Sequence, residues 1–184
     1  MNNIISNELF GIIIKEINKK PPDFNAIKDI FKNGININSR NNYDETFLMN
    51  AIEFIQELIW KDENGNWAET SDEAMELVQR MVPKIDVSII LILLEMGADP
   101  NIEDRDGRKC IDRAVVTFRS DIFKNLLDYN ADLNYKYFKN EYFIDWIKDE
   151  LHEFKNDGNE IAIKEISKMV NIINEKAQTS FNKQ

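Results

Sequence analysis

Apolar residues recur along this chain with a helical period, and the breaks in that pattern divide it into short segments. Leu9, Phe10, Ile13, Ile14 and Ile17 share one helical face, with Ser6 as N-cap before them. Pro21 and Pro22 end that helix. Phe24, Ile27, Ile30 and Phe31 then mark a second one over 23–32. Leu48, Ala51, Ile52, Ile55 and Leu58 give a third stripe, and Ile89, Ile90, Leu93 and Leu94 a broad fourth. Ile122, Phe123, Leu126 and Leu127 predict a helix over about 121–129. After the loop Asn156-Asp157-Gly158-Asn159 comes a last helix with Ile163, Ile166, Met169, Val170 and Ile173 on one side. Lys164, Glu165, Lys168 and Glu175 suit its solvated outer face. The pattern predicts an all-α chain of helix pairs.

The turns between these helices repeat. Asn33-Gly34-Ile35-Asn36-Ile37-Asn38, Met96-Gly97-Ala98-Asp99-Pro100-Asn101 and Tyr129-Asn130-Ala131-Asp132-Leu133-Asn134 are three copies of one corner. A Gly just past a helix supplies the left-handed backbone such a corner needs, and Asn130 is the next-best residue there. Gly97 to Asn130 is a step of 33 residues, whereas Gly34 to Gly97 is 63, one period plus 30. The excess is an insertion over 60–84. It holds a loop, Asp62-Glu63-Asn64-Gly65-Asn66, and then an extra helix opened by the capping box Thr70-x-x-Glu73. Met75, Leu77, Val78, Met81 and Val82 carry that helix and Pro83 ends it. Its apolar side needs cover, so it is expected to lie against the flank of the stacked pairs.

The stretch G-A-D-P-N-I-E-D-R-D-G-R-K-C-I-D-R-A from Gly97 to Ala114 resembles the junction between two ankyrin repeats, G-A-D-x-N-x-x-D-x-x-G-x-T-P-L-H-x-A, whose period is 33. Thr46-Phe47-Leu48-Met49-Asn50-Ala51, Lys109-Cys110-Ile111-Asp112-Arg113-Ala114 and the degraded Tyr142-Phe143-Ile144-Asp145-Trp146-Ile147 fill the T-P-L-H-x-A positions. Asp44 stands where the family prefers Gly. With Met49 in the histidine slot, the family's Thr–His hydrogen bond is expected to be lost. The resemblance implies a single domain, an ankyrin-repeat solenoid of stacked helix pairs with hairpin-like tips. Repeats are expected at about 6–38, 40–101 with the insertion 60–84, 104–134 and 138–176, with a frayed tail over 177–184.

Bulk composition narrows the function classes. The chain has 184 residues and a net charge of −10, which argues against nucleic acid and anionic membranes and toward a basic protein surface. No apolar run is long enough to span a bilayer, and the N-terminus lacks the basic region of a signal peptide. One cysteine suits a reducing cytoplasm. The abundance of Asn, Ile and Lys fits an AT-rich bacterial genome.

Chemistry has little to build on. With His152 the only histidine, neither a Ser/His/Asp nor a Cys/His arrangement has support, and no His/Cys metal cluster is expected. His152, beside Glu150 and Glu153, reads as a solvated residue, and Cys110 reads as packing. Asp62-x-Asn64-x-Asn66 with Glu73 imitates a calcium-loop ligand ladder, but Trp67 replaces the required glycine and Glu69 an apolar position. No catalytic residue, cofactor or metal is therefore expected, and the chain reads as a non-enzyme.

What remains is a surface. The resemblance implies partner docking on hairpin tips and first-helix faces. The tip positions are Arg40, Asn42 and Tyr43, then Glu103, Asp104, Arg105 and Asp106, then Lys136, Tyr137, Phe138 and Lys139. The first-helix positions are Asn50, Arg113 and Trp146. Tyr, Trp and Arg anchor protein interfaces most often, which favours Trp146, Tyr43 and Arg105. Trp67, with Trp60 and the carboxylates Asp62, Glu63, Glu69, Asp72 and Glu73, joins the candidates because insertions in repeat proteins often lie on the binding face; both tryptophans could instead pin the insertion to the stack. The expected role is a monomeric binding module for another protein, above all an immunity protein that neutralises a basic toxin domain. A general adaptor or host-directed effector is the other class.

Overall fold

The computed structural model describes residues 4–61, 64–68, 71–81, 85–137 and 141–181. Among them are nine helices and no strand: α1 Asn7–Ile17, α2 Phe24–Lys32, α3 Phe47–Trp60, α4 Ser71–Met81, α5 Ser88–Glu95, α6 Cys110–Val116, α7 Ser120–Asp128, α8 Phe143–Asp157 and α9 Glu160–Phe181. The all-α expectation holds. α1, α2 and α7 begin and end within a few residues of where the apolar period and its punctuation place them. Ser6 accepts from the Leu9 amide and Asp23 from those of Asn25 and Ala26. Thr70 and Pro83, the expected limits of the inserted helix, lie outside the described residues. At the other end α9 continues through Phe181, past Ala177, where the polar tail was expected to fray.

Helices pack as pairs: α1 with α2, α3 with α5, α6 with α7, and α8 with α9. The pairs then lean on one another, α1 on α3, α3 on α6, α5 on α7, and α7 on α9. One continuous apolar core runs from Phe10 through Phe47, Leu93, Ile111 and Phe123 to Phe143 and Ile166. The pairs share this one core. The inserted α4 packs on α3 and α9, where Leu77 and Val78 are covered. That matches the expected flank position.

The corners are equivalent. Gly34, Gly97 and Asn130 follow α2, α5 and α7 with φ of 100°, 93° and 64°. After α5 the Ala98 amide reaches the Leu93 carbonyl at 3.0 Å, and after α7 the Ala131 amide reaches Leu126 at 2.9 Å. Asparagine side chains then link one corner to the next. Asn38 donates to the Gly97 carbonyl at 3.2 Å and accepts from the Asp99 amide at 2.8 Å. Asn101, 63 residues on, donates to the Asn130 carbonyl at 2.9 Å and accepts from the Asp132 amide at 2.7 Å.

Candidate functional site

The segments before α3 and α6 fold into the same tight tip because a short polar side chain organises each. Asn41 accepts from the amides of Tyr43 and Glu45 at 2.8 and 3.0 Å, and Asp104 from those of Asp106 and Arg108, both at 2.9 Å. Asp44 and Gly107 take the left-handed residue of the two tips, with φ of 62° and 77°. The tips also touch: the Arg105 amide donates to the Tyr43 carbonyl at 3.1 Å, its guanidinium bonds the Asn42 carbonyl, and it lies 5.5 Å over the Tyr43 ring. Asn42, Tyr43, Glu103, Arg105 and Asp106 are exposed, so these candidates sit together on one edge.

The third tip is formed by a bridge between Lys136 and Tyr142. Phe138 lies outside the described residues. Tyr137 and Trp146 are half-buried and pack on each other at 4.4 Å, with Trp146 also 5.6 Å from Phe143. They form an aromatic shelf with part of each ring still facing out. Asn50 is half-buried and turns its amide back to the Thr46 carbonyl at 3.2 Å.

Arg113 is the clear departure from expectation. It is only 7% exposed, so its side chain is not free to meet a partner. Its guanidinium joins Asp104 at 2.9 Å, Glu45 at 3.0 Å and Glu53 at 3.1 Å. Burial alone would lower its pKa, but the surrounding carboxylates outweigh that and hold it above the ordinary value. Arg113 therefore ties the two tips and α3 to α6 from inside.

Beside it the motif positions of α6 form a second buried network. Asp112 accepts from the Lys109 amide at 2.5 Å and from the Tyr135 hydroxyl, while the Lys109 ammonium lies 4.0 Å over the Tyr135 ring. Burial pushes the Asp112 carboxyl up to about 6, against the pull of those two donors. At α3 the missing Thr–His bond has a substitute, since the Met49 sulfur accepts from the Thr46 amide at 3.4 Å while Thr46 accepts from the Met49 amide at 3.3 Å.

A further feature is a cavity of about 280 Å³ where the C-terminal ends of α3 and α6 meet α8 and α9. Trp60, Trp67, Phe118 and Phe154 give aromatic surface, Val115, Val116 and Ile166 aliphatic surface, and Gln56 and Glu150 the polar groups. Phe118 lies 6.0 Å from Trp60 and 5.6 Å from Phe154, ring to ring, and does so with φ of 52°. A bulky residue rarely accepts that backbone, so the packing of its ring must offset the strain. Burial, then the charge of Glu153, raises the Glu150 carboxyl above its ordinary value, and hydrogen bonding to Trp146 opposes them. Trp60 and Trp67 differ in their surroundings. Trp60 packs against Phe118 with its indole nitrogen buried and unpartnered, while Trp67 is 53% exposed with Lys61 4.5 Å over its ring.

Glu45, Glu53, Val116, Glu150 and Phe154 were not singled out by the sequence. The signal was there for two of them, since Glu53 lies three residues after Asn50 and Glu150 four after Trp146, each on its neighbour's helical face. Of the calcium-like ladder, Asp62 lies outside the described residues, and among those described no group of three or more His, Cys, Asp or Glu is placed to hold a metal ion. His152 is exposed on α8, as expected. No helix among the described residues is long and apolar enough to cross a membrane. A scan against protein-family models matches none, and a search of curated proteins finds no similar chain.

Proposed function

We propose that this chain is a non-enzymatic, ankyrin-like protein-binding module, and that it serves as an immunity protein which covers a basic toxin domain in the cytoplasm. The observation that carries the reading is the repeated corner and tip geometry, in which Asn38 and Asn101 make the same pair of bonds to successive corners. Such a stack offers an edge of tips beside a row of first helices, a shape suited to gripping another protein.

Charge supports the choice of partner. Arg113 is already surrounded by Glu45, Glu53 and Asp104, so it leaves little positive potential outside. Glu53, Asp149 and Glu153 remain accessible on the helix row, and the whole chain carries −10. A basic active site would be steered toward such a face and covered by it. Cys110 supports the non-enzymatic reading, because it is fully buried and burial pushes its thiol far above the ordinary range, leaving no thiolate for attack.

The test is the gene neighbourhood followed by co-expression. The expected result is an adjacent gene for a secreted toxin, rescue of growth by this chain, and a complex that survives gel filtration and weakens with salt. Failure of both rescue and complex formation would remove the immunity reading. Capture of a eukaryotic target instead would favour the adaptor or host-directed class.

A further inference from the structure

We propose that the cavity between α3, α6 and α8 is a socket for one arginine side chain of the partner, stacked against Trp67 and set opposite Glu150. The inference rests on the reading that the partner is a basic protein, and it names the chemistry by which that partner is gripped. At about 280 Å³ the cavity is at or below the low end of small-molecule sites, which span about 300–1,000 Å³, so it suits a single side chain better than a cofactor.

Its walls select the kind of side chain. Trp60, Trp67, Phe118 and Phe154 line it, and a cation is attracted to the negative face of such rings. Glu150 is the carboxylate in the lining; it is hydrogen-bonded to Trp146, but among the described residues neither it nor Glu153 is in an ion pair. The nearby cation Lys61 is paired with Glu57 at 3.1 Å and lies 4.5 Å over the Trp67 ring, so the incoming guanidinium stacks where Lys61 leaves that ring open. An aliphatic side chain would fill the same walls but bury Glu150 without a counter-charge. Lysine would bring a compact, strongly hydrated charge that does not stack, whereas a guanidinium is planar, weakly hydrated and can lie on a ring while bonding a carboxylate. The strained backbone at Phe118 fits this use, since it is kept where a ring is needed to complete the wall.

The experiment uses the full chain and a free amino-acid probe, so it is independent of any toxin. N-acetylarginine amide is titrated while the assigned indole N–H resonances of Trp60 and Trp67 are followed by NMR. The expected result is saturable millimolar binding that moves both resonances. Binding is expected to weaken about tenfold for the uncharged isostere N-acetylcitrulline amide and by a similar factor in Glu150→Gln. Trp67→Ala, at an exposed position, is expected to weaken it without disturbing the remaining spectrum. Equal binding of the citrulline probe, an unchanged affinity in Glu150→Gln, an equally tight lysine probe, or no saturable shift would each overturn the socket. Failure of the toxin co-expression with a positive titration would remove the partner reading alone, and the reverse pair of results would remove the socket alone.

Discussion

Replacing Arg113 by methionine isolates what holds the tips to the helix row. The side chain is similar in length, so the packing of its stem is largely kept while the guanidinium is lost. Three carboxylates then lose a cation, and they are not equivalent. Asp104 is 2% exposed and Glu45 17%, whereas Glu53 is 46% exposed. Breaking a buried pair by removing one partner costs about 3–5 kcal/mol, because the charge left behind is uncompensated. The Glu53 pair faces solvent and contributes about 0–1 kcal/mol. Asp104 keeps its bond to Arg108 at 3.0 Å, which places Arg113→Met toward the lower end, at about 3 kcal/mol. Urea unfolding followed by tryptophan fluorescence reads this directly, with Glu53→Gln as the control expected to cost under about 1 kcal/mol.

The effect also has a pH signature. Burial would raise the Asp104 carboxyl, but the Arg108 and Asp106 amides and the guanidinium groups of Arg108 and Arg113 hold it below 3.8. Its folded pKa is thus below its unfolded one, so its contribution is present above 3.8 and is lost as pH falls through the folded value. The difference between wild type and Arg113→Met should therefore shrink below that pH. A cost under about 1 kcal/mol at pH 7, or one that does not fall in acid, would refute the account of Arg113 as an internal tie.

Asn101→Ala removes one donor and one acceptor from the corner ladder and should cost about 1 kcal/mol, with Asn38→Ala costing about the same; unchanged urea midpoints would show that the ladder does not stabilise the stack. Phe118→Gly relieves roughly 1 kcal/mol of backbone strain but removes a buried ring worth about 3–5 kcal/mol, so unfolding measurements should find a net loss of about 2–4 kcal/mol, and a gain in stability would contradict the packing argument. Asp112 should titrate near pH 6 by carboxyl carbon NMR, with stability falling as pH rises from 3.8 to about 6, since the folded form holds the proton more tightly there. Tyr135→Phe removes a bond that favours the ionised carboxylate and should move that titration higher; a shift downward would contradict the assignment. Cys110 should resist alkylation in the folded protein and react on unfolding, which chemical labelling checks against denaturant.

Helix placement was legible because it depends on local patterns. A stripe of Ile and Leu with Ser6 or Asp23 before it and Pro21 or Gly97 after it specifies a helix from nearby residues alone. The corners were legible for the same reason, since Gly34, Gly97 and Asn130 each solve a backbone problem set by their own φ. The side chains between corners were less so. Met49 in a histidine slot suggested a lost bond, yet its sulfur reaches the Thr46 amide, an outcome that depends on rotamer and not on residue class.

The sequence by itself determined the helix pairs, the spacing of the corners, the inserted helix and the surplus of acid. Only the tertiary structure decided which polar side chains face out. Arg113 and Trp146 occupy the same slot of their motifs, yet one is buried among carboxylates from the two tips and α3 and the other lies on an aromatic shelf. Periodicity gives the direction of a side chain from its own helix axis, but not which charges lie across the gap to meet it. Glu45 reaches Arg113 across 68 residues of chain, and the cavity draws on residues from Gln56 to Ile166. Such meetings are fixed by how the pairs stack, because burial and counter-charge are properties of the space between elements.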